Sequence, residues 1–271
     1  MKKLSLATAL FASLFAFNTN AYQYEVNGAY EHTKFDDIDE KINTYGINGK
    51  YYLNPVQAKG TPLAEAAFTS KASNIGLSYV KLDSDYGDED YYGVSGEFFI
   101  PNTQFYVSGS INQSNFDGEG DGTGYALEAG YLPLDGLLVA VGIADVEKSI
   151  NPDLITKNGL IGTSSIAGAV EDDDTVVSLR AKYLTQIGGF YTNFEGVAYF
   201  ADETSYKLGA DLYLDPTLSV GASFADSTAD DSDTVFNIRV QKFFTQQIAV
   251  GLNYTTVDGA DAYGINATYR F

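Results

Sequence analysis

From residue 22 onward, polar and apolar residues alternate in runs of about ten, and each run closes on a turn sequence. The last run is the clearest. Tyr263, Ile265, Ala267, Tyr269 and Phe271 fall on one side, with Asn266, Thr268 and Arg270 on the other. Phe236, Ile238 and Val240 oppose Asn237, Arg239 and Gln241 in the same way. Val177, Leu179, Ala181 and Tyr183 oppose Ser178, Arg180 and Lys182, and Leu208, Ala210, Leu212 and Leu214 oppose Lys207, Gly209 and Asp211. A period of two predicts strands with one apolar and one polar face. Fourteen are predicted, near 22–33, 41–53, 71–82, 90–100, 103–115, 123–133, 137–146, 173–184, 190–201, 203–214, 217–226, 233–243, 247–256 and 261–271. Alternation is poorest at 71–82 and 137–146.

The connections between these strands are of two kinds. One set is short and rich in turn residues: Pro101-Asn102, Pro133 to Gly136, Gln186 to Gly189, Asp215-Pro216 and Thr245 to Gln247. The other set is acidic and mostly longer: 34–40, 83–90, 116–122, 145–174, 202–203, 226–233 and 257–261 hold 27 of the 36 carboxylates. All seven are odd-numbered connections, so an up-and-down arrangement gathers them at one end. Periplasmic termini, short periplasmic turns and long polar outer loops are the rule in bacterial single-chain barrels. The expectation is therefore all-β: a transmembrane antiparallel up-and-down β-barrel of about 14 strands, with 12–16 allowed by the pattern. A soluble β-solenoid or two-sheet sandwich shares the alternation, but it turns the apolar face inward and gives no reason to sort charge to one end.

The first 21 residues fit this reading. Lys2 and Lys3 precede an apolar run from Leu4 to Phe17, and Asn18 to Ala21 supplies small residues for cleavage. That is the pattern of a secretory signal peptide, residues 1–21, leaving 22–271 as one barrel domain. No other stretch has the 18 or so apolar residues that a spanning helix needs. Cysteine is absent, so neither disulfides nor lipoprotein processing enter the picture. The 21 Tyr, 17 Phe and 27 Gly suit pleated walls and tight turns. A net charge of −20 argues against nucleic acid as a partner.

At the other end, Tyr269-Arg270-Phe271 places an aromatic residue last on an alternating strand. The outer-membrane assembly machinery reads that feature in this class, so Phe271 is its expected contact. Tyr22 to Gly28, Tyr51-Tyr52-Leu53, the segment Lys59 to Phe68 and the Tyr-Arg-Phe ending together resemble a small outer-membrane porin family of Acinetobacter-type Gram-negative bacteria. Thr61, inserted before Pro62-Leu63-Ala64-Glu65-Ala66, is a small departure from that family's pattern. The resemblance implies a monomeric barrel in the cell outer membrane, passing small solutes and carrying no catalytic residues or cofactor. Outer-membrane lipid and lipopolysaccharide are its expected surroundings.

Fourteen strands tilted about 40° and spaced about 4.8 Å give a backbone radius of roughly 14 Å, too wide for wall side chains to fill. The predicted lining is Glu25, Glu31, Lys50, Glu97, Glu128, Arg180, Lys182, Glu195, Lys207, Asp211, Arg239 and Arg270, six acids and six bases. Such a set either pairs within itself and holds the wall, or orients small polar solutes in a transverse field. Acidic mouth loops over a balanced lumen predict a weak cation preference, screened beyond about 8 Å at physiological salt. Two segments are candidates to narrow the bore: 54–70, where Leu63 to Phe68 reads as a short helical turn, and the outer loop 147–172, too apolar to be freely solvated. If they close it, a plugged structural or adhesin-type surface barrel is the alternative function.

Other chemistry is thin. Asp117 to Gly122 with Glu128 resembles a calcium loop, but Glu119 and the flanking strands read better as a glycine-rich hairpin tip. The acidic runs 171–174 and 230–233 read as solvated faces, with loose attraction for the divalent cations that bridge lipopolysaccharide as the alternative. His32 is the single histidine, and a hydrolase centre would need it. No nucleophile elbow or metal-ligand spacing accompanies it, so no enzyme is expected.

Overall fold

The computed structural model describes residues 21–36, 40–58, 60–85, 87–116, 120–146, 175–230 and 232–271. Fourteen antiparallel strands form a closed barrel in which each strand pairs with its sequence neighbours, and β1 pairs with β14. They are β1 (Ala21–Phe35), β2 (Lys41–Gln57), β3 (Asn74–Ser84), β4 (Gly87–Phe99), β5 (Phe105–Phe116), β6 (Gly120–Leu134), β7 (Leu137–Val146), β8 (Thr175–Ile187), β9 (Phe190–Phe200), β10 (Thr204–Asp215), β11 (Leu218–Ser227), β12 (Val235–Phe243), β13 (Ile248–Val257) and β14 (Ala260–Arg270). Every strand read from alternation is present, including the two with the weakest pattern. β3 starts at Asn74 rather than 71, because Lys71 sits in a turn at φ 49°. Closure leaves no unpaired edge, which is what a sheet in hydrocarbon requires. No helix among the described residues is long and apolar enough to cross a membrane.

The alternation sorts side chains as the pattern demands. Ile47, Leu77, Ile111, Leu127, Val141, Ile238 and Leu252 are exposed on the outside, forming an aliphatic band. Aromatic pairs flank that band at both ends. At the end carrying the termini, Tyr24 faces Tyr51 and Phe105 faces Tyr131, with ring centroids 5.2 and 5.5 Å apart. At the far end, Tyr30 pairs with Tyr45, Tyr79 with Tyr92 and Tyr254 with Tyr263, at 5.1–5.2 Å. Each pair sits in direct cross-strand register, where side chains pack closest. Two aromatic girdles around an aliphatic band are the lipid-facing surface of an outer-membrane barrel.

The seam is closed by the C-terminal strand. The Phe271 carbonyl accepts hydrogen bonds from the Gln23 and Tyr24 amides at 2.9 and 2.8 Å, and the Phe271 amide donates to Tyr24 at 2.9 Å. Its ring stacks between Tyr24 and Tyr269, with centroids 5.2 and 5.5 Å away. The residue expected to carry the assembly signal thus also completes the join.

Between β2 and β3, the chain forms a 3-10 turn at Leu63–Glu65 that runs into a one-turn helix, α1 (Ala66–Thr69). This is the helical turn expected at Leu63 to Phe68. Thr69 caps it by donating to the Glu65 carbonyl at 2.9 Å.

Candidate functional site

Every second strand residue points inward, and the long polar ones meet across strands. Arg180 on β8 grips both oxygens of Glu128 on β6, at 2.6 and 3.0 Å, and lies 3.5 Å from Glu195 on β9. Its guanidinium also donates to the Tyr106 hydroxyl at 3.3 Å. Tyr106 donates onward to Glu97 at 3.0 Å, and Asn74 donates to the other oxygen of Glu97 at 2.8 Å. Across the barrel, Arg239 forks onto Asp211 at 2.7 and 2.9 Å. Gly221 leaves the space for that fork: a Cβ there would stand 2.1 Å from the Asp211 carboxylate. Arg270 bonds Glu25 at 2.6 Å, joining β14 to β1 over the seam. Its guanidinium lies 4.7 Å from the centres of the Tyr22 and Phe243 rings, which shield the pair from water.

The segment between β2 and β3 folds into the end of the barrel that carries the termini. The Leu63 amide donates to the Pro216 carbonyl at 2.8 Å, and the Leu63 carbonyl accepts from Arg270 at 2.8 Å. The Leu63 side chain packs on Phe243 and Ala249. Ala66 sits among Tyr22, Tyr52, Val56 and Ala72, and Phe68 packs against Tyr106, Leu132 and Leu138. Glu65, 7% exposed, is held by the Lys182 ammonium at 2.9 Å and the Tyr213 hydroxyl at 2.7 Å. Lys182 in turn stands 5.0 Å over the Phe68 ring. The segment therefore touches β1, β2, β5 to β8, β10 and β12 to β14, and so crosses the mouth.

Above it lies a chamber of about 420 Å³. Ten of the twelve lining residues named from the sequence border it: Glu25, Lys50, Glu97, Arg180, Lys182, Glu195, Lys207, Asp211, Arg239 and Arg270. The other two also face inward, away from this chamber. Glu128 is covered by Arg180, and Glu31 is buried and accepts from Asn253 at 2.8 Å. The ion pairs join residues far apart in the chain, and a list of charges cannot reveal those pairings.

Sequence reasoning missed Glu65. It read 63–68 as a helical turn without seeing that the turn carries a further acid into the lumen. The available signal is a single carboxylate among Leu63, Ala64, Ala66, Ala67 and Phe68, which marks a charge carried on a burying surface. Tyr106, Tyr213 and Asn193, which also border the chamber, were missed because each is common on strand faces of either kind.

His32 is half-buried on the outward side of β1, with Nδ1 2.9 Å from the Asn43 side-chain oxygen. Asn43 also accepts from Tyr30, and no acid or nucleophile joins the group among the described residues. No cluster of three or more potential metal ligands occurs among the described residues. Of the calcium-like loop, 117–119 lie outside the described residues and Glu128 is committed to Arg180. The apolar outer loop 147–172 lies outside them as well.

Known proteins resemble this arrangement over its whole length. A family model described as "Putative general bacterial porin" matches residues 1–271. The crystal structure of the Acinetobacter baumannii outer membrane protein Omp33 is similar at 33% identity and a TM-score of 0.70, covering 93% of this chain and 99% of that one. Pseudomonas putida OprB is 10% identical over 97% of this chain and 95% of that one, with a TM-score of 0.45. Vibrio cholerae OmpT with a loop deleted is 12% identical over 92% and 98%, with a TM-score of 0.42. No curated protein matches significantly.

Proposed function

The chain belongs to the general bacterial porin family and is an outer-membrane porin, and on that premise we propose that small polar solutes and ions pass through its lumen by passive diffusion, with a weak preference for cations. Membership in the family favours a channel over an enzyme. The observation that carries the finer reading is the chamber, a polar space of about 420 Å³ inside a closed wall, bordered by charges of both signs. Paired charges in a low-dielectric wall favour polar over apolar passengers. Cation preference is supported by the outer connections, which hold 27 of the 36 carboxylates. It acts within about 8 Å of the entrance at physiological salt.

A second reading has its own support. The buried segment across the periplasmic mouth favours a plugged barrel with a structural or adhesive role at the cell surface. Planar-bilayer recording of purified, refolded protein separates the two. Conductance steps with a reversal potential on the cation side of a KCl gradient are expected. A flat baseline would leave the plugged barrel as the better account. In either case we propose a monomer, surrounded by lipid and lipopolysaccharide, that presents Phe271 to the barrel assembly machinery.

A further inference from the structure

The ions of the chamber are largely spent on one another. Arg180 and Lys182 share Glu195, Arg239 holds Asp211, and Arg270 holds Glu25. A charged solute that binds directly to one of these paired groups must displace its partner and strand that charge, which is costly in a shielded site. The neutral groups differ. Ser219, Gln241 and Asn266 lie on one line across β11 to β14, in the register Ser219 to Gln241, Gln241 to Gly251 and Gly251 to Asn266. All three border the chamber, and none of their side chains makes a hydrogen bond within the described residues. On β9, Asn193, a residue 3% exposed that borders the same space, has a side-chain oxygen without a hydrogen-bond partner among the described residues.

Gly251 is what makes the line continuous. A Cβ at that position would stand 2.7 Å from the Asn266 amide, so the glycine lets Asn266 lie flat across the wall toward Gln241. Amides and hydroxyls each donate and accept, as the hydroxyl groups of a sugar do. Ala64, Ala67 and Phe68, which border the same chamber, offer an apolar surface for C–H groups. The volume of about 420 Å³ holds roughly a dozen waters at about 30 Å³ each, space enough for a hexose.

We propose that this row is a binding subsite for small neutral hydroxyl-rich solutes, such as monosaccharides and polyols. The inference rests on the porin reading only for the route by which the solute arrives. Its chief rival is an anionic sugar acid answering to Lys50, which borders the chamber with neither ion pair nor hydrogen bond among the described residues.

Saturation-transfer NMR on the full refolded barrel in detergent micelles tests it, using glucose, xylitol, gluconate and glycine as probes. Transfer to glucose and xylitol is expected, with little to glycine or gluconate. The double variant Gln241→Leu/Asn266→Leu is expected to weaken sugar binding between about 5-fold and 100-fold, the range for two net hydrogen bonds. Heat-modifiable migration on gels reports whether that variant folds; if it does not, Ser219→Ala alone is expected to give a loss of about 2-fold to 10-fold. No transfer to the neutral sugars, undiminished transfer in the folded variants, or a preference for gluconate that Lys50→Met abolishes would each overturn the assignment. The bilayer recording stands apart. Sugar binding without conductance sinks the passive-diffusion reading alone, and conductance without sugar binding sinks this one alone.

Discussion

Replacing Glu65 by alanine should loosen the segment that crosses the periplasmic mouth. Glu65 is the single ionised side chain on Leu63–Thr69, and it ties that segment to β8 through Lys182 and to β10 through Tyr213. Both members of the ion pair are shielded, with side-chain exposures of 16% for Lys182 and 8% for Glu65. Deleting one partner of a buried pair costs about 3–5 kcal/mol, because the remaining charge keeps its desolvation cost. Glu195, 3.9 Å from Lys182, takes up part of that charge. A net loss near the lower bound, about 3 kcal/mol, is therefore expected. At about 1.4 kcal/mol per tenfold, it raises the ratio of unseated to seated segment on the order of 100-fold. Tyr213→Phe removes one hydrogen bond and keeps the ion pair, so it should cost about 1 kcal/mol and shift the ratio roughly 5-fold. Single-channel recording in planar bilayers reads that ratio as open probability. The expected order is Glu65→Ala well above Tyr213→Phe, and Tyr213→Phe above wild type. An open probability in Glu65→Ala equal to wild type, in protein shown to be folded by heat-modifiable migration, refutes the carboxylate as the latch.

Three further outcomes follow from the same geometry. Arg180→Ala strips Glu128 and Tyr106 of their shared donor and should lower barrel stability by about 3–5 kcal/mol, read by urea unfolding in lipid. Leu127→Arg puts a charge at the middle of β6 on the lipid face, where Leu127 is 65% exposed. It should cost about 2–4 kcal/mol in the same assay, whereas the same change at a loop position should cost almost nothing. Deleting Phe271 removes the ring stacked between Tyr24 and Tyr269 and the carbonyl that receives the Gln23 and Tyr24 amides. Outer-membrane levels of the protein should drop sharply; normal levels on fractionated cells would mean that neither contact is needed for assembly.

The strands were legible because a period of two is imposed locally. Lipid demands apolar residues outside, and a polar lumen demands the converse, so each strand carries its own record of orientation. β14 could be read residue by residue from Tyr263 to Arg270 for that reason. The seventh strand alternates weakly because its inward Leu138, Ala140, Gly142 and Ala144 are small or apolar residues packed against neighbours rather than water. The segment at 54–70 was legible in part. Its length exceeds that of a periplasmic turn, and its Ala-Glu-Ala-Ala-Phe run suggests a helical turn. Its destination was hidden, because Pro216, Arg270 and Phe243 meet Leu63 only after the barrel closes.

The same distinction explains why the lumen is fuller than strand number alone suggests. A roughly 14 Å radius follows from strand count, tilt and spacing, and that arithmetic treats wall side chains as a uniform layer. The inward residues here are not uniform. Arg180, Arg239 and Arg270 have long arms, and each reaches a carboxylate on another strand instead of lying along its own. Tyr52 and Tyr106 add buried rings, and the segment carrying Glu65 fills the periplasmic end. Reach is a property of pairs, and pairs depend on register. Pairing decides the electrostatics too: once Glu65 joins the twelve, the named set has seven acids against six bases, so its net charge is small despite its many charges. On the readings proposed above, selectivity by charge belongs to the acidic outer end, and selectivity by hydrogen bonding belongs to the neutral row on β11 to β14. Those are separable properties of one pore, because the residues that carry them stand at different depths and respond to salt differently.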